Sequence, residues 1–145
     1  MSLAQVMDIA AAGMDVQQQR LEVAASNIAN ARTTSGAAAT AYRPLEVVVR
    51  AAVPAGTAAA GGAQLAGALP RPYAAIVEST VAPKRVFDPG HPDADKDGFI
   101  SLPGVDPISS MMDLLEISRS YDANLRVFDV TRSLVQRTLD IGSKQ

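Results

Sequence analysis

His91, Asp93, Asp95 and Asp97 fall within one short run, HPDADKDGFI (91–100), where carboxylates alternate with other residues and a Gly-Phe pair follows. Carboxylates at alternate positions before a glycine are what the first half of an EF-hand loop requires. The aspartates would supply oxygens at loop positions 1, 3 and 5 and the glycine would make the sharp turn at position 6. With Asp93 at the first position, Asp95, Asp97 and Gly98 fit that scheme. The twelfth position, where a bidentate glutamate completes the calcium shell, is Gly104, which has no side-chain oxygen, and Asp106 comes two residues too late. The flanks FDPGHP and SLPGVDP each carry two prolines where an EF-hand has helices. These residues therefore read as an Asx/Gly turn between strands. A calcium-responsive two-helix module built on the DADKDG turn is the alternative, and saturable calcium binding would distinguish it.

Other chemistry is sparse. His91 is the chain's only histidine and the chain contains no cysteine, so a catalytic dyad, a disulfide and a thiolate zinc site all lack their components. Neither a nucleophile elbow, a phosphate loop nor an HExxH pair occurs, and the glycines at 61, 62 and 67 sit in an Ala/Gly run, away from any strand-to-helix turn. Ser118, Arg119, Ser120 and Tyr121 lie among apolar neighbours on a helical pattern and read as packing and interface residues. No catalytic, cofactor-binding or metal-binding residue is assigned, and an enzyme using His91 as base is the weakest reading.

The elements that hold this turn are clearer than the turn itself. Leu3, Met7, Ala10, Met14, Gln17, Leu21, Ala24, Ile28 and Ala31 follow one another at alternating spacings of four and three, a heptad seam on a helix covering most of residues 3–31. Ser2 and Gln5 have the spacing of a capping box, Gly13 weakens the middle of the helix, and ARTTSG ends it. At the other end, Asp106 and Pro107 read as N-cap and first helical residue, and Gly142 as C-cap. Between them Leu114, Ile117, Tyr121, Leu125, Phe128, Val135 and Leu139 form one apolar stripe, with Val127, Val130, Leu134 and Ile141 forming another beside it. One partner helix cannot cover both stripes, so the surplus points to association with other chains.

The segments YRPLEVVVR (42–50), YAAIVEST (73–80), KRVFD (84–88) and GFISL (98–102) are short, β-branched or aromatic, and separated by proline and glycine, as strands are. Residues 51–69 are low-complexity Ala/Gly and read as a flexible loop. The expected fold is α+β: long N- and C-terminal helices forming a coiled-coil core, with a β-rich insert between them. Its divisions are 1–32, 33–105 and 106–145.

Composition limits the partners. Of 145 residues 48% are apolar, but 26 are alanine and none is tryptophan, so a compact core would be thin. A net charge of −2 gives no basis for binding nucleic acid. No apolar run reaches the length of about 20 residues that spans a bilayer. The N-terminus lacks a basic n-region and carries Asp8 and Asp15 within its apolar part, so it is not a cleavable secretory signal. A lone helix with one seam is marginal in water, so both ends are expected to order largely on assembly.

The stretch LEVAASNIANARTTSGAAATAYRP (21–44) resembles the N-terminal signature of bacterial flagellar axial proteins: a Ser26-Asn27-Ile28-Ala29-Asn30 helix end, a turn at Thr33 and a Tyr42-Arg43 exit. The long spacing to Tyr42 is most like the proximal-rod subunits. Asp88 to Ile100 is similar to the DPGHPDAD turn of the same proteins, and Arg119, Tyr121, Ala123 and Asn124 match their C-terminal helix pattern. The resemblance implies a structural subunit of the basal-body rod in the periplasm. Its terminal helices would pack in concentric layers, its insert would project outward, and the flagellar type III apparatus would export it without a cleaved signal. The implied partners are other copies of the chain, other rod proteins and that export apparatus. The candidate interface residues are Leu3, Met7, Met14, Leu21, Asn27, Ile28, Asn30, Leu114, Ile117, Tyr121, Asn124, Leu125, Phe128, Val135 and Leu139. Asn27 and Asn30 carry both donors and acceptors, so they suit bridging between chains and terminating the helix equally.

Overall fold

The computed structural model describes residues 2–52 and 69–142, so most of the Ala/Gly run lies outside the described residues. Six elements follow in order: α1 (Leu3–Asn30), β1 (Leu45–Ala52), β2 (Arg71–Glu78), β3 (Lys84–Phe87), β4 (Phe99–Leu102) and α2 (Pro107–Gly142). Long terminal helices with a small strand region between them is the expected α+β architecture. At 1.5 Å per residue, the 28 residues of α1 and the 36 of α2 extend about 42 and 54 Å.

Both helix starts follow from local chemistry. Gln5 N–H donates to Ser2 Oγ at 3.2 Å while Ser2 N–H donates to Gln5 Oε1 at 2.8 Å, the reciprocal capping box. At α2, Asp106 accepts from the backbone of Ile108 and Ser109 and from the Ser109 hydroxyl at 2.6 Å, and Pro107 takes the first helical position.

The strands form two separate pairs, β1 with β2 and β3 with β4. The β3–β4 pair is antiparallel, running from Lys84 opposite Leu102 to Phe87 opposite Phe99. β1 begins at Leu45, three residues after the expected Tyr42, because Pro44 has no N–H to enter a ladder. β2 begins at Arg71, two residues before the expected start, and carries Pro72. A two-stranded sheet leaves each strand an outer edge, where a proline is tolerated.

By packing the chain falls into two compact units. The first gathers residues 1–19, 49–75 and 117–145, and its described buried residues are Ala10, Val16, Ile117 and Thr131. The Thr131 hydroxyl donates to the Val127 carbonyl at 2.8 Å, so its burial leaves no unsatisfied group. Within this unit α1 and α2 approach closely at Gly13: a Cβ placed there would lie 2.9 Å from Asn124 Nδ2. A glycine that lowers helix propensity is thus where the Asn124 amide seats.

The second unit gathers residues 20–48 and 76–116. Val23, Ala41, Ile100, Ser101, Pro103 and Val105 make its interior, with Pro103 fully buried. Ser35 and Ser101 exchange both backbone hydrogen bonds, at 3.0 and 2.8 Å, which lays the segment after α1 along β4. Gly104 is required by contact, since a Cβ would fall 2.5 Å from Val81 Cγ1 and 2.8 Å from the Ala82 carbonyl.

Candidate subunit interface and the aspartate turn

The aspartate turn closes the β3–β4 hairpin, and the carboxylates of Asp93 and Asp95 are engaged within the chain. Asp95 Oδ1 accepts from the backbone N–H of Asp97 at 2.9 Å and of Phe99 at 2.8 Å. Asp95 Oδ2 accepts from Arg85 at 2.6 Å, and that guanidinium lies 4.5 Å from the centre of the Phe99 ring. Phe99 in turn meets Phe87 edge to face at 5.2 Å. The Phe99 N–H bond, with Asp97 N–H and Arg85 adding to it, holds the Asp95 carboxyl below the usual aspartate range. Gly98 takes φ +78°, the left-handed conformation that a turn glycine supplies.

Asp93 serves a different contact. Its Oδ2 accepts from the Thr34 hydroxyl at 2.5 Å, and its N–H donates to His91 Nδ1 at 3.1 Å. That bond ties the imidazole into the turn through Nδ1. Asp93 and Asp95 thus tie the turn to different segments. Among the described residues no group of three His, Asp or Glu side chains converges as a metal site would need.

The SNIAN stretch builds a second junction. Asn27 Nδ2 donates to the Leu45 carbonyl at 2.7 Å, and Asn27 Oδ1 accepts from Leu45 N–H at 2.9 Å and from Tyr42 Oη at 3.0 Å. The side-chain amide therefore pairs with a backbone amide in both directions, as a neighbouring strand would, and fixes where β1 begins. Ser26 Oγ lies 3.2 Å from the same Tyr42 hydroxyl. Asn30 Nδ2 donates to the Ser26 carbonyl one turn back at 2.9 Å, and Thr33 donates to Asn30 Oδ1 at 3.3 Å. Both asparagines are engaged inside their own chain. Their signal in the sequence was the spacing; the partner of Asn27, Leu45, was 18 residues away and carried no polar side chain to announce it.

An open cleft of about 210 Å³ lies beside this junction in the second unit. Asn27, Glu46, Ser79, Asp106, Ser109, Ser110 and Asp113 contribute its polar wall, and no Lys, Arg or His among the described residues lines it. Asp106 is already committed as N-cap, and its carboxyl is held below the usual range, first by the Ser109 hydroxyl.

The apolar interface candidates divide by exposure. Ile117 is buried and Leu114, Asn124, Phe128 and Val135 are half-buried on α2, whereas Tyr121, Leu125 and Leu139 are exposed. On α1, Met7, Met14 and Ile28 are half-buried, and Leu3 and Leu21 are exposed. The second α2 stripe faces solvent throughout: Val127, Val130, Leu134 and Ile141 are 47, 59, 44 and 68% exposed. Ile108, Met111, Met112 and Leu115 extend the exposed apolar surface toward the start of the helix. Apolar residues in this number are not stable in water as a free surface, and they sit on the two longest elements.

Two terminal helices carrying surplus apolar faces around a small strand region describe a chain made to be one of many. The family model for flagella basal body rod proteins matches residues 7–37, which span the α1 seam and the SNIAN junction. The model for the C-terminal part of flagellar basal body rod FlgEFG proteins matches residues 96–141, covering the end of the aspartate turn and nearly all of α2. These matches define the class, the structural subunits of the flagellar basal-body rod. Among curated proteins, the flagellar basal-body rod protein FlgC of Escherichia coli O6:H1 is 37% identical over 98% of this chain and 99% of its own. FlgC of Yersinia enterocolitica is 39% identical over the same shares, and FlgC of Aquifex aeolicus is 30% identical over 97% of each chain. The chain belongs to the FlgC family of flagellar basal-body rod proteins. It is a structural subunit of that rod.

Proposed function

We propose that this subunit enters the rod through its terminal segments, residues 1–32 and 106–145, while the insert at 33–105 projects outward. The observation that carries this reading is the exposed second stripe of α2 from Val127 to Ile141, apolar surface that the described residues leave open. Its natural cover is the helices of neighbouring rod subunits, both further copies of this chain and other rod proteins. Helices packed side by side in a repeating lattice resist twisting, which is what a rod transmitting torque needs. Leu3, Met7, Met14, Leu21 and Ile28 on α1, and Leu114, Ile117, Tyr121, Leu125, Phe128, Val135 and Leu139 on α2, divide between holding the chain together and meeting neighbours. The most exposed of them serve the second purpose. Asn27 and Asn30 act within the chain, tying the end of α1 to the segment that follows it, and Asn124 seats against Gly13. The role is structural rather than catalytic.

The subunit reaches its site, a rod in the periplasm, through the flagellar export apparatus. A chain without cysteines suits that route. Charge placed on the outer stripe tests the assembly reading. Val130→Asp with Leu134→Asp should abolish swimming and rod completion while the subunit is still secreted. Normal swimming by that variant would remove the stripe from the rod interface.

A further inference from the structure

The outer faces of the two helices, within the first unit, carry matching patterns. On α1, Ala4, Asp8, Ala11 and Asp15 follow at spacings of four, three and four. Those steps return to nearly the same angle at 100° per residue, so the four share one strip. Ala4, Asp8 and Asp15 are exposed and Ala11 is half-buried, on the side away from the buried Ala10–Val16 face. On α2, Arg119, Ala123, Arg126 and Val130 have the same spacings, form one strip and are all exposed. Their side is opposite to buried Ile117 and Thr131.

Set antiparallel, the two strips complement each other at every rung. Asp15 meets Arg119, Ala11 meets Ala123, Asp8 meets Arg126 and Ala4 meets Val130. Each charge faces its opposite, and the alanines between them let the backbones come close enough for the ion pairs to form. The parallel arrangement fails, because bringing Asp8 and Asp15 to Arg119 and Arg126 sets Ala11 opposite Asp122. Among the described residues Asp15, Arg119 and Arg126 make no ion pair, and Asp8 has a solvent-exposed contact with Arg71 at 3.4 Å, which holds it weakly. Both strips face away from their own partner helix, so a single chain cannot close this contact on itself.

We propose that the Ala4–Asp15 strip of one subunit docks on the Arg119–Val130 strip of a second copy of this chain. The proposal rests on the rod-subunit reading and names one of its neighbours. The contact joins two different faces, so it is heterologous. Each copy leaves a free strip of each kind, and addition continues in one direction, as a rod layer requires. Charge decides the pairing: two α1 strips or two α2 strips would set like charges against each other, so only the mixed contact forms.

The chain has no cysteine of its own, so a single-chain variant carrying Ala11→Cys and Ala123→Cys isolates this rung. Basal bodies purified from cells bearing that variant are oxidised and separated under denaturing, non-reducing conditions. A ladder at multiples of the subunit mass, absent from either single-cysteine variant beyond the dimer, is the expected result. If the chain is present in the basal bodies but remains monomeric, or is bonded to a protein of different mass, the proposal is wrong while the rod reading stands. If the native chain is missing from purified basal bodies, the rod reading itself fails. A charge exchange provides a second measurement that needs no cysteine. Asp15→Arg should reduce swimming-zone diameter at least twofold, and adding Arg119→Asp should restore most of it. Failure of the second change to restore swimming, with both variants secreted at native level, would also overturn the pairing.

Discussion

At the residue scale, three aspartates of one turn have unequal duties. Asp95 holds two backbone N–H groups and Arg85, Asp93 holds Thr34, and Asp97 contributes its N–H. Asp95→Ala should therefore increase amide exchange at Asp97 and Phe99 and loosen the hairpin, while Asp97→Ala leaves both amides protected. Equal effects of the two substitutions, read by hydrogen exchange, would refute the assignment. The same carboxylate links the turn to pH. A carboxyl held below its ordinary value binds its proton less readily folded than unfolded, so its contribution is complete above the unfolded value of about 3.9. It is lost as pH falls through the lower folded value. Asp106 is depressed in the same direction by Ser109 and its backbone contacts, so the α2 cap weakens over the same acidic range. Amides of Phe99 and Ile108 should be unchanged between pH 7 and 5 and exchange faster, after correction for intrinsic rates, only below that range. The turn was legible in the sequence, because Asp and Gly at these spacings have few other uses. Its partners were not: Thr34 is 59 residues from Asp93, and a hydroxyl in a polar run gives no sign of what it will bond.

At the scale of the element, α2 separates the residues that hold the chain from those that face outward. Ile117 is 3% exposed, so Ile117→Ala should cost about 2–5 kcal/mol of stability in the isolated subunit. Leu125, on the same predicted stripe, is 39% exposed, and its truncation should cost less than about 1 kcal/mol there. Chemical denaturation of the two variants measures the difference, and equal losses would mean that the stripe is buried as a whole. The α1 seam was less legible than the helix bearing it. Its buried line runs through Ala10, Val16 and Val23, so beyond Gly13 it lies one position before the heptad seam, whose Leu21 stays 44% exposed. In an alanine-rich helix, apolar residues occur at nearly every angle, and periodicity alone does not fix the phase. Gly13 shows the same limit, since its cost in propensity was readable and its reason, Asn124, was not. Gly13→Ala should stabilise by up to about 1 kcal/mol in an Asn124→Ala background. In the native background the gain should shrink or reverse, because the new Cβ would lie 2.9 Å from the amide. Additive effects in that double-mutant cycle would remove Asn124 from the contact.

At the scale of the whole molecule, the fold is economical in core and generous in surface. The first unit buries only Ala10, Val16, Ile117 and Thr131 among its described residues, while Val127, Val130, Leu134, Leu139 and Ile141 remain exposed on the same helix. Few large side chains secure the C-terminal part of α2, and little of its helical stability can come from packing. On the proposed reading, its ordering entropy is offset when neighbouring subunits cover the outer face. The second unit differs: Pro103, Ile100, Val105 and Ala41 are enclosed, and the Asn27, Ser35 and Asp95 hydrogen bonds tie its segments together. Amide exchange in the dilute subunit should follow that division. Amides of β4 should be protected, those of α2 beyond Thr131 should exchange within about tenfold of an unstructured chain, and those near Ile117 should lie between. In isolated basal bodies the C-terminal amides should become the more protected by orders of magnitude. Strong protection beyond Thr131 in the free subunit, at a dilution where only monomer is present, would show that α2 is secured without neighbours. The exposed stripe would then be a finished surface rather than one half of a contact completed in the rod.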